Sequence, residues 1–583
     1  MTAVDKPIAQ EDAASATSPP DLRRPAFRTE PSGLTGWLAA VALVVGFFLV
    51  GAAQLSRLEF SGGSEQIVAA TVLEIKRDHN WWVPTLRGRP RLVKPPLTAW
   101  IAAAAVSDDT LRNLDNPDPG LRRQAYRDLS WQIRWPSLLA ASLTLLAAFE
   151  AGRVIFGVRT ALTGMVVTAT TLLMMRFGLA ATTDVMLTLW VAVVHVGLLH
   201  AVLRGRRWAG CTVAGLALGL AMMSKGPVAL VFTLLPFGGV AVAAWWNGGL
   251  RVREWAGPVC AMVAGLALVG LPWYADQLRV QGWPLVQAWR VEVLREGATD
   301  LPRDPVWSYL SLFPMMMPWI VFMVAGLVAA LRERRELPRM FWVAAAIVWP
   351  IVVMTLFKDK NERYLLPLAP VCGVLTGFVI ARSYAVTLAN WERTVRAAGM
   401  AVPWLLAAGL AVMGAVGGEW GRKLSLVRID GGPWFTWPLT AAFVMALGLM
   451  CAAGLLLHRR LWYSNFAAAA TATLLTGALF LHGYSRSENG AAPYLPVAER
   501  LRIAYPGRPV YELWDTSIRS GHDLNIYLNR VLPGIESIAA ATEPNAVVLL
   551  LRRTSSAAPE VPAGWTLAEV LRAGKRKVYV LQR

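Results

Sequence analysis

Two carboxylates and a few cations stand where the surrounding sequence makes a charge costly. Asp184 follows two threonines and opens an apolar run in GLAATTDVML (178–187), and Glu65 lies in SGGSEQIVAA (61–70). Lys225 interrupts MMSKGPVAL (222–230), Lys94 precedes two prolines in RPRLVKPPLTAW (89–100), and Lys360 and Arg363 fall in FKDKNERYLLPLAP (357–370). Ionisable groups at membrane depth generally have a partner or a task. Lys and Arg suit a phosphate or diphosphate, which they hold by charge-assisted hydrogen bonds. A carboxylate suits removal of a proton from a hydroxyl. Together they point to transfer of a group from a phospholipid carrier to an alcohol, with Asp184 and Glu65 as candidate bases. Lys94, Lys225, Lys360 and Arg363 are the candidates for holding phosphate. A divalent ion, Mg or Mn, stays open as a cofactor: Asp184 and Glu65 are the carboxylates it could use, but no ligand set is diagnostic.

The elements that position these residues are membrane helices. Of 583 residues 55% are hydrophobic and 16% charged, and the mean hydropathy is +0.44. Runs near 20 residues, the length a hydrocarbon core requires, recur at 34–55, 135–152, 160–175, 185–203, 208–223, 227–246, 255–274, 307–331, 341–357, 365–380, 397–417, 434–457 and 466–481. The expected architecture is an all-α polytopic membrane protein of about 13 spans. The charge of +19 collects as arginine in alternate short loops, which is topology and not nucleic-acid binding. It places a disordered tail (1–33) on the cytoplasmic side of a bacterial inner membrane. The four cysteines show no paired spacing and read as small core residues.

Counting Leu97–Val106 as a span would turn every later arginine cluster outward. That short run, broken by Pro95 and Pro96, is expected to lie in the outer interface and to hold Lys94 at headgroup depth. The first outer loop is then 56–134, with interfacial helices, and a second long outer loop is 275–306. Asp184, Lys225, Lys360 and Arg363 all fall on the same outer side. Tyr274, Trp289 and Tyr364 are aromatic candidates for contacting substrate there, although aromatic residues at span ends commonly only anchor helices.

From about Gly483 the pattern changes. PVYELW (509–514), NAVVLLLRR (545–553) and KVYVLQR (577–583) read as strands, and PVAERLRIAY (496–505) as a helix. A small extracytoplasmic α/β domain over 483–583 is expected to follow the membrane domain (34–482).

KPPL (94–97), TTD (182–184), SKGPVAL (224–230), PWY (272–274) and K-x-x-RYLLPLAP (360–370) occur in the order seen in bacterial GT-C glycosyltransferases. The chain resembles that family, in particular its aminoarabinose transferases and protein O-mannosyltransferases. The resemblance implies an inverting transfer of sugar from a polyprenyl-phosphate donor to a hydroxyl acceptor on a lipid, protein or glycan, outside the cytoplasm. It also implies that Lys94 with Lys360 and Arg363 holds the donor phosphate as it leaves, while 275–306 closes over the substrates. Several positions depart: the family's Asp-Glu pair falls on Ser64-Glu65, the Tyr that follows on Val68, its later Asp on Asn80, and its Glu before KPP on Val93. Asp184 therefore becomes the first choice of base and Glu65 the second. The alternative is a relative that binds polyprenyl-phosphate lipid without transfer. A transporter is disfavoured by the absence of internal repeats and by polar groups gathered at one face.

Overall fold

Sustained apolar length makes α1 (Gly33–Ala52), the first of the helices in the computed structural model. The structure describes residues 33–56, 58, 60, 62–246, 251–294, 304–357, 360–383, 390–416, 470, 494–513, 522–553, 558–573 and 576–583. The span expected at 434–457, that at 466–481 apart from residue 470, residues 295–303 of the second outer loop and nearly all of the N-terminal tail lie outside the described residues.

After α1 the chain folds a layer at one end of the bundle. It contains α2 (Gly62–Asp78), a hairpin of β1 (Thr85–Leu86) and β2 (Arg89–Pro90), α3 (Leu97–Ala105) and α4 (Asp108–Asn113). The hairpin turns on Arg87 and Gly88, at φ of 57° and 71°, the left-handed pair a two-residue turn demands. Glu74 accepts from both turn amides, at 2.7 and 3.0 Å. The nine residues of α3 reach only about 14 Å, too little to cross a bilayer.

The long α5 (Pro119–Phe156) starts well outside the expected span. Pro119 occupies its first turn and the Asp118 carboxylate caps Gly120 N at 2.7 Å, the usual N-terminal chemistry. It ends at Gly157, whose φ of 101° few other residues tolerate. There follow α6 (Val158–Thr170), α7 (Leu172–Phe177), α8 (Thr183–Leu203), α9 (Arg207–Lys225), α10 (Val228–Trp246), α11 (Val252–Gln281) and α12 (Trp283–Leu294). Then come α13 (Leu312–Met315), α14 (Ile320–Arg332), α15 (Pro338–Thr355), α16 (Ala369–Arg382) and α17 (Asn390–Val416), with 3-10 turns at Val306–Ser311 and Glu362–Leu368. Small residues let the helices approach: a Cβ on Gly197 of α8 would stand 2.7 Å from Gly210 O of α9. Close backbone packing of this kind replaces the hydrophobic drive that lipid removes.

Among the described residues, seven helices are long and apolar enough to cross a membrane, or eight with the bent pair Val306–Met315 and Ile320–Arg332. Two of the thirteen expected spans take a different form. The run 307–331 is folded by 118° at its break. The run 160–175 is split at Thr171, whose hydroxyl accepts from Met174 N and starts α7 afresh. Single helices lie over the expected runs 227–246 and 397–417, as α10 and α17.

The C-terminal unit has α18 (Leu495–Ala504), β3 (Val510–Leu513), α19 (Asp523–Tyr527), β4 (Gly534–Ile535), β5 (Val547–Arg553), β6 (Thr566–Ala573) and β7 (Arg576–Gln582). The sheet order is β4-β3-β5-β7-β6, parallel from β4 to β5 and antiparallel beyond. Central β5 is a continuous apolar run, as a strand covered on both faces requires. The sequence indicates three of these five strands and α18; it does not indicate the two-residue β4, the short α19, or β6, which mixes apolar and polar residues at an edge.

This unit packs on the layer after α1. Tyr126 of α5 donates to Tyr527 O at 2.7 Å, Tyr527 donates to Leu58 O at 2.6 Å, and Gln66 donates to Asp523 Oδ1 at 2.8 Å. Arg87 at the hairpin tip pairs with Glu512 Oε2 at 3.2 Å.

Candidate active site

Asp184 sits in the first turn of α8, preceded by Thr182 in an extended conformation, and is buried. Lys225, the last residue of α9, donates from Nζ to Asp184 Oδ1. Gly226 stops that helix with φ of 82°, so the chain turns away directly after the lysine. Arg363, from the 3-10 turn before α16, brings Nε to 3.6 Å from Asp184 Oδ2. That is an ion pair beyond hydrogen-bond reach, and Arg363 Nε is buried without a hydrogen-bond partner among the described residues.

The Tyr364 ring completes the wall, with Lys225 Nζ 3.9 Å and Arg363 Cζ 5.3 Å from its centroid. An aromatic face at these distances holds a cation. Lys94 lies within electrostatic reach of Lys225.

Two further aromatic residues tie the two lysine-bearing segments together. Tyr274 of α11 donates its hydroxyl to Met222 O, in the last turn of α9, at 3.0 Å. Trp289 of α12 donates to Leu92 O, two residues before Lys94, at 2.9 Å. The two rings meet edge to face at 5.4 Å. Asp184, Lys225, Arg363 and Tyr364 are thus in direct contact, with Lys94, Tyr274 and Trp289 around them.

Lys360 and Glu65 are committed elsewhere. Lys360 Nζ donates to the carbonyls of Asp304 and Phe357, at 3.1 and 2.8 Å, and its amide to Asp304 Oδ2 at 2.8 Å. Glu65 takes Arg134 Nε and Nη2 at 2.8 and 3.0 Å and Ala181 N at 2.9 Å, with no exposed surface. Arg134 also donates to Leu55 O at 2.9 Å. The neighbouring Ser64 Oγ is buried and makes no hydrogen bond among the described residues. Sequence reasoning passed over Arg134. Its signal was an arginine within SWQIRWPSLL, where a cation beside an apolar run calls for a buried anion.

The site can bind an anion: two cations share one carboxylate, an arginine donor is unsatisfied, and a third cation is near. It does not suit a divalent ion, which Lys225 and Arg363 would repel from Asp184 and which would have to displace Arg134 from Glu65. No cluster of three or more His, Cys, Asp or Glu forms among the described residues.

Residues 126–274 match the family described as dolichyl-phosphate-mannose-protein mannosyltransferase, and 303–418 match the Alg9-like mannosyltransferase family. The chain is 26% identical over 314 residues to undecaprenyl phosphate-alpha-4-amino-4-deoxy-L-arabinose arabinosyl transferase 1 of Sodalis glossinidius (strain morsitans), covering 52% of each chain. A Pseudomonas aeruginosa transferase of the same name is 26% identical over 325 residues, 52% of this chain and 56% of that one. The chain spans about half the length of the curated relatives it matches. In fold it is similar to ArnT from Cupriavidus metallidurans bound to undecaprenyl phosphate, with TM-score 0.66, 17% identity and coverage of 94% of this chain and 98% of that one.

Proposed function

We propose that this chain, a multi-pass membrane protein of the GT-C aminoarabinose-transferase type, is a glycosyltransferase that uses a polyprenyl-phosphate-linked sugar. It passes the sugar with inversion to a hydroxyl acceptor on the extracytoplasmic face, with its N-terminus cytoplasmic and its C-terminal unit periplasmic. The observation that carries the reading is the unsatisfied Arg363 Nε beside Lys225 and Asp184. A phosphate oxygen supplies the acceptor that this buried donor lacks.

The donor phosphate competes with Asp184 for Lys225 and Arg363, with Lys94 adding charge from the hairpin side. Asp184, loosened from Lys225, takes the proton of the acceptor hydroxyl. The acceptor oxygen then bonds to the anomeric carbon as the bond from that carbon to the phosphate oxygen breaks. Polyprenyl phosphate leaves with the electron pair, and the cations neutralise the charge that accumulates on it. Tyr364 fixes the two cations, and Tyr274 and Trp289 brace their segments. Glu65 serves by accepting from Ala181 N, which sets the entry to α8, and Lys360 by fixing the turn that carries Arg363.

A second reading, lipid binding without transfer, draws on Ser64 standing where the family has its Asp. The test is turnover by the full chain in lipid with radiolabelled undecaprenyl-phosphate aminoarabinose and other polyprenyl-phosphate sugars, beside Asp184→Asn. Release of sugar that Asp184→Asn abolishes supports the enzyme. Donor binding without release across the panel supports the second reading.

A further inference from the structure

At the end of the bundle opposite Asp184 lies an apolar cavity of about 150 Å³. Ala147 and Ala151 of α5, Ala192 of α8, Phe237 of α10 and Val343 of α15 make its wall. Cavities of that size lined by apolar side chains stay dry and accept a benzene-sized body. The opening is marked by Ile155 and Leu203, at the ends of α5 and α8, and by Arg339 in the first turn of α15.

The charges at this mouth are uneven. Glu150, on α5 between the lining residues Ala148 and Ala151, is taken by Arg153 and His200, at 2.6 and 2.7 Å. Arg339 donates from Nη1 to Ile155 O at 3.0 Å and forms no ion pair among the described residues. Its guanidinium keeps donors for an anion, and a planar fork suits a phosphate. A basic residue at a gap between membrane helices next to an apolar cavity is the arrangement that takes an anionic lipid headgroup and one of its chains.

We infer that the cavity between α5, α8, α10 and α15 is a binding site for an anionic phospholipid, its phosphate on Arg339 and a segment of one acyl chain against Ala147, Ala192 and Phe237. The apolar wall is what selects a lipid over free phosphate. The site is separate from the Asp184 cluster, since α8 runs from Asp184 in its first turn to Leu203 at its last residue. The inference therefore stands or falls independently of the transfer reaction.

The experiment uses the full chain in lipid nanodiscs with phosphatidylglycerol carrying a photoactivatable diazirine midway along one chain, and the matching phosphatidylcholine. Crosslinks are expected on peptides covering 192–203 and 339–346. Unlabelled phosphatidylglycerol should compete about fivefold better than phosphatidylcholine, the factor one cation contributes at a membrane surface. Arg339→Gln should remove that preference and Arg339→Lys should retain most of it, which separates charge from the hydrogen bond to Ile155. Ala192→Phe should block labelling inside the cavity while leaving that of exposed Val348 and Val352. Equal competition by the neutral lipid, a preference unchanged in Arg339→Gln, or crosslinks confined to Val348 and Val352 would each overturn the inference. So would displacement by inorganic phosphate alone.

Discussion

Glu65 and Arg134 form a two-pronged ion pair with no exposed side-chain surface on either partner. The pair joins α2 to α5 and, through Leu55 O and Ala181 N, to the end of α1 and the approach to α8. Removing one member of such a pair leaves a buried charge and costs about 3–5 kcal/mol. Glu65→Ala and Arg134→Ala should each lower the thermal unfolding temperature sharply. Glu65→Ala with Arg134→Met should be milder than either single change, which a double-mutant cycle by thermal unfolding in detergent would register. Additive losses would contradict a direct pair.

Asp184→Asn separates binding from chemistry. Loss of a general base is worth about 10²–10⁴-fold in rate, so sugar release should fall by at least about 10²-fold. Donor affinity should hold or rise, because the amide no longer competes with phosphate for Lys225 and Arg363. Single-turnover assays beside equilibrium binding of the donor check both; a matching fall in affinity would place Asp184 in binding instead.

Lys225→Met and Arg363→Gln should act mainly on donor phosphate. Each removes a charge-assisted contact worth about 1.5–3 kcal/mol, or about 10- to 150-fold in affinity. Tyr364→Leu should cost less, about 0.5–2 kcal/mol, since it removes only the face that holds the two cations. Titration with polyprenyl phosphate ranks the three; a Tyr364 effect exceeding both cations would refute the assignment.

The contact between Gln66 and Asp523 should respond to pH. Burial raises the Asp523 carboxyl to about 7 from an ordinary 3.8, against the pull of nearby Arg576. A carboxyl with a raised folded-state value contributes stability that is fully present below about 4 and is lost as pH rises through about 7. Buried Glu512 is also shifted upward and acts in the same sense, whereas burial lowers His522 to about 4, so its contribution is lost as pH falls below its ordinary 6.5. The informative quantity is therefore the difference between wild type and Asp523→Asn. Between pH 5 and 8, hydrogen exchange at α19 and α2 should rise with pH more steeply in the wild type than in Asp523→Asn. Parallel profiles would remove Asp523 as the cause.

Much of the bundle was legible because membrane spans are written locally, in runs of apolar residues of the right length. The limits of that reading were equally physical. A helix broken at Thr171 and a pair bent by 118° have the same average hydropathy as straight spans, so composition alone does not reveal them. The edge strand β6 hides because its apolar residues are mixed with Glu569 and Arg572.

By itself the sequence determined that Asp184, Lys225, Arg363 and Lys94 occupy places where a charge needs a reason, because the cost of burying a charge can be read from its immediate neighbours. It did not determine which of them meet. Lys225 and Asp184 are 41 residues apart, Arg134 and Glu65 are 69 apart, and Gln66 and Asp523 are 457 apart. Those pairings follow from how helices cross and from where the C-terminal unit docks. Only the tertiary structure could give Glu65 to Arg134, occupy Lys360 with carbonyls, and leave Asp184 between two cations. A side chain's partner is fixed by packing between elements, whereas its need for one is fixed by the element that carries it.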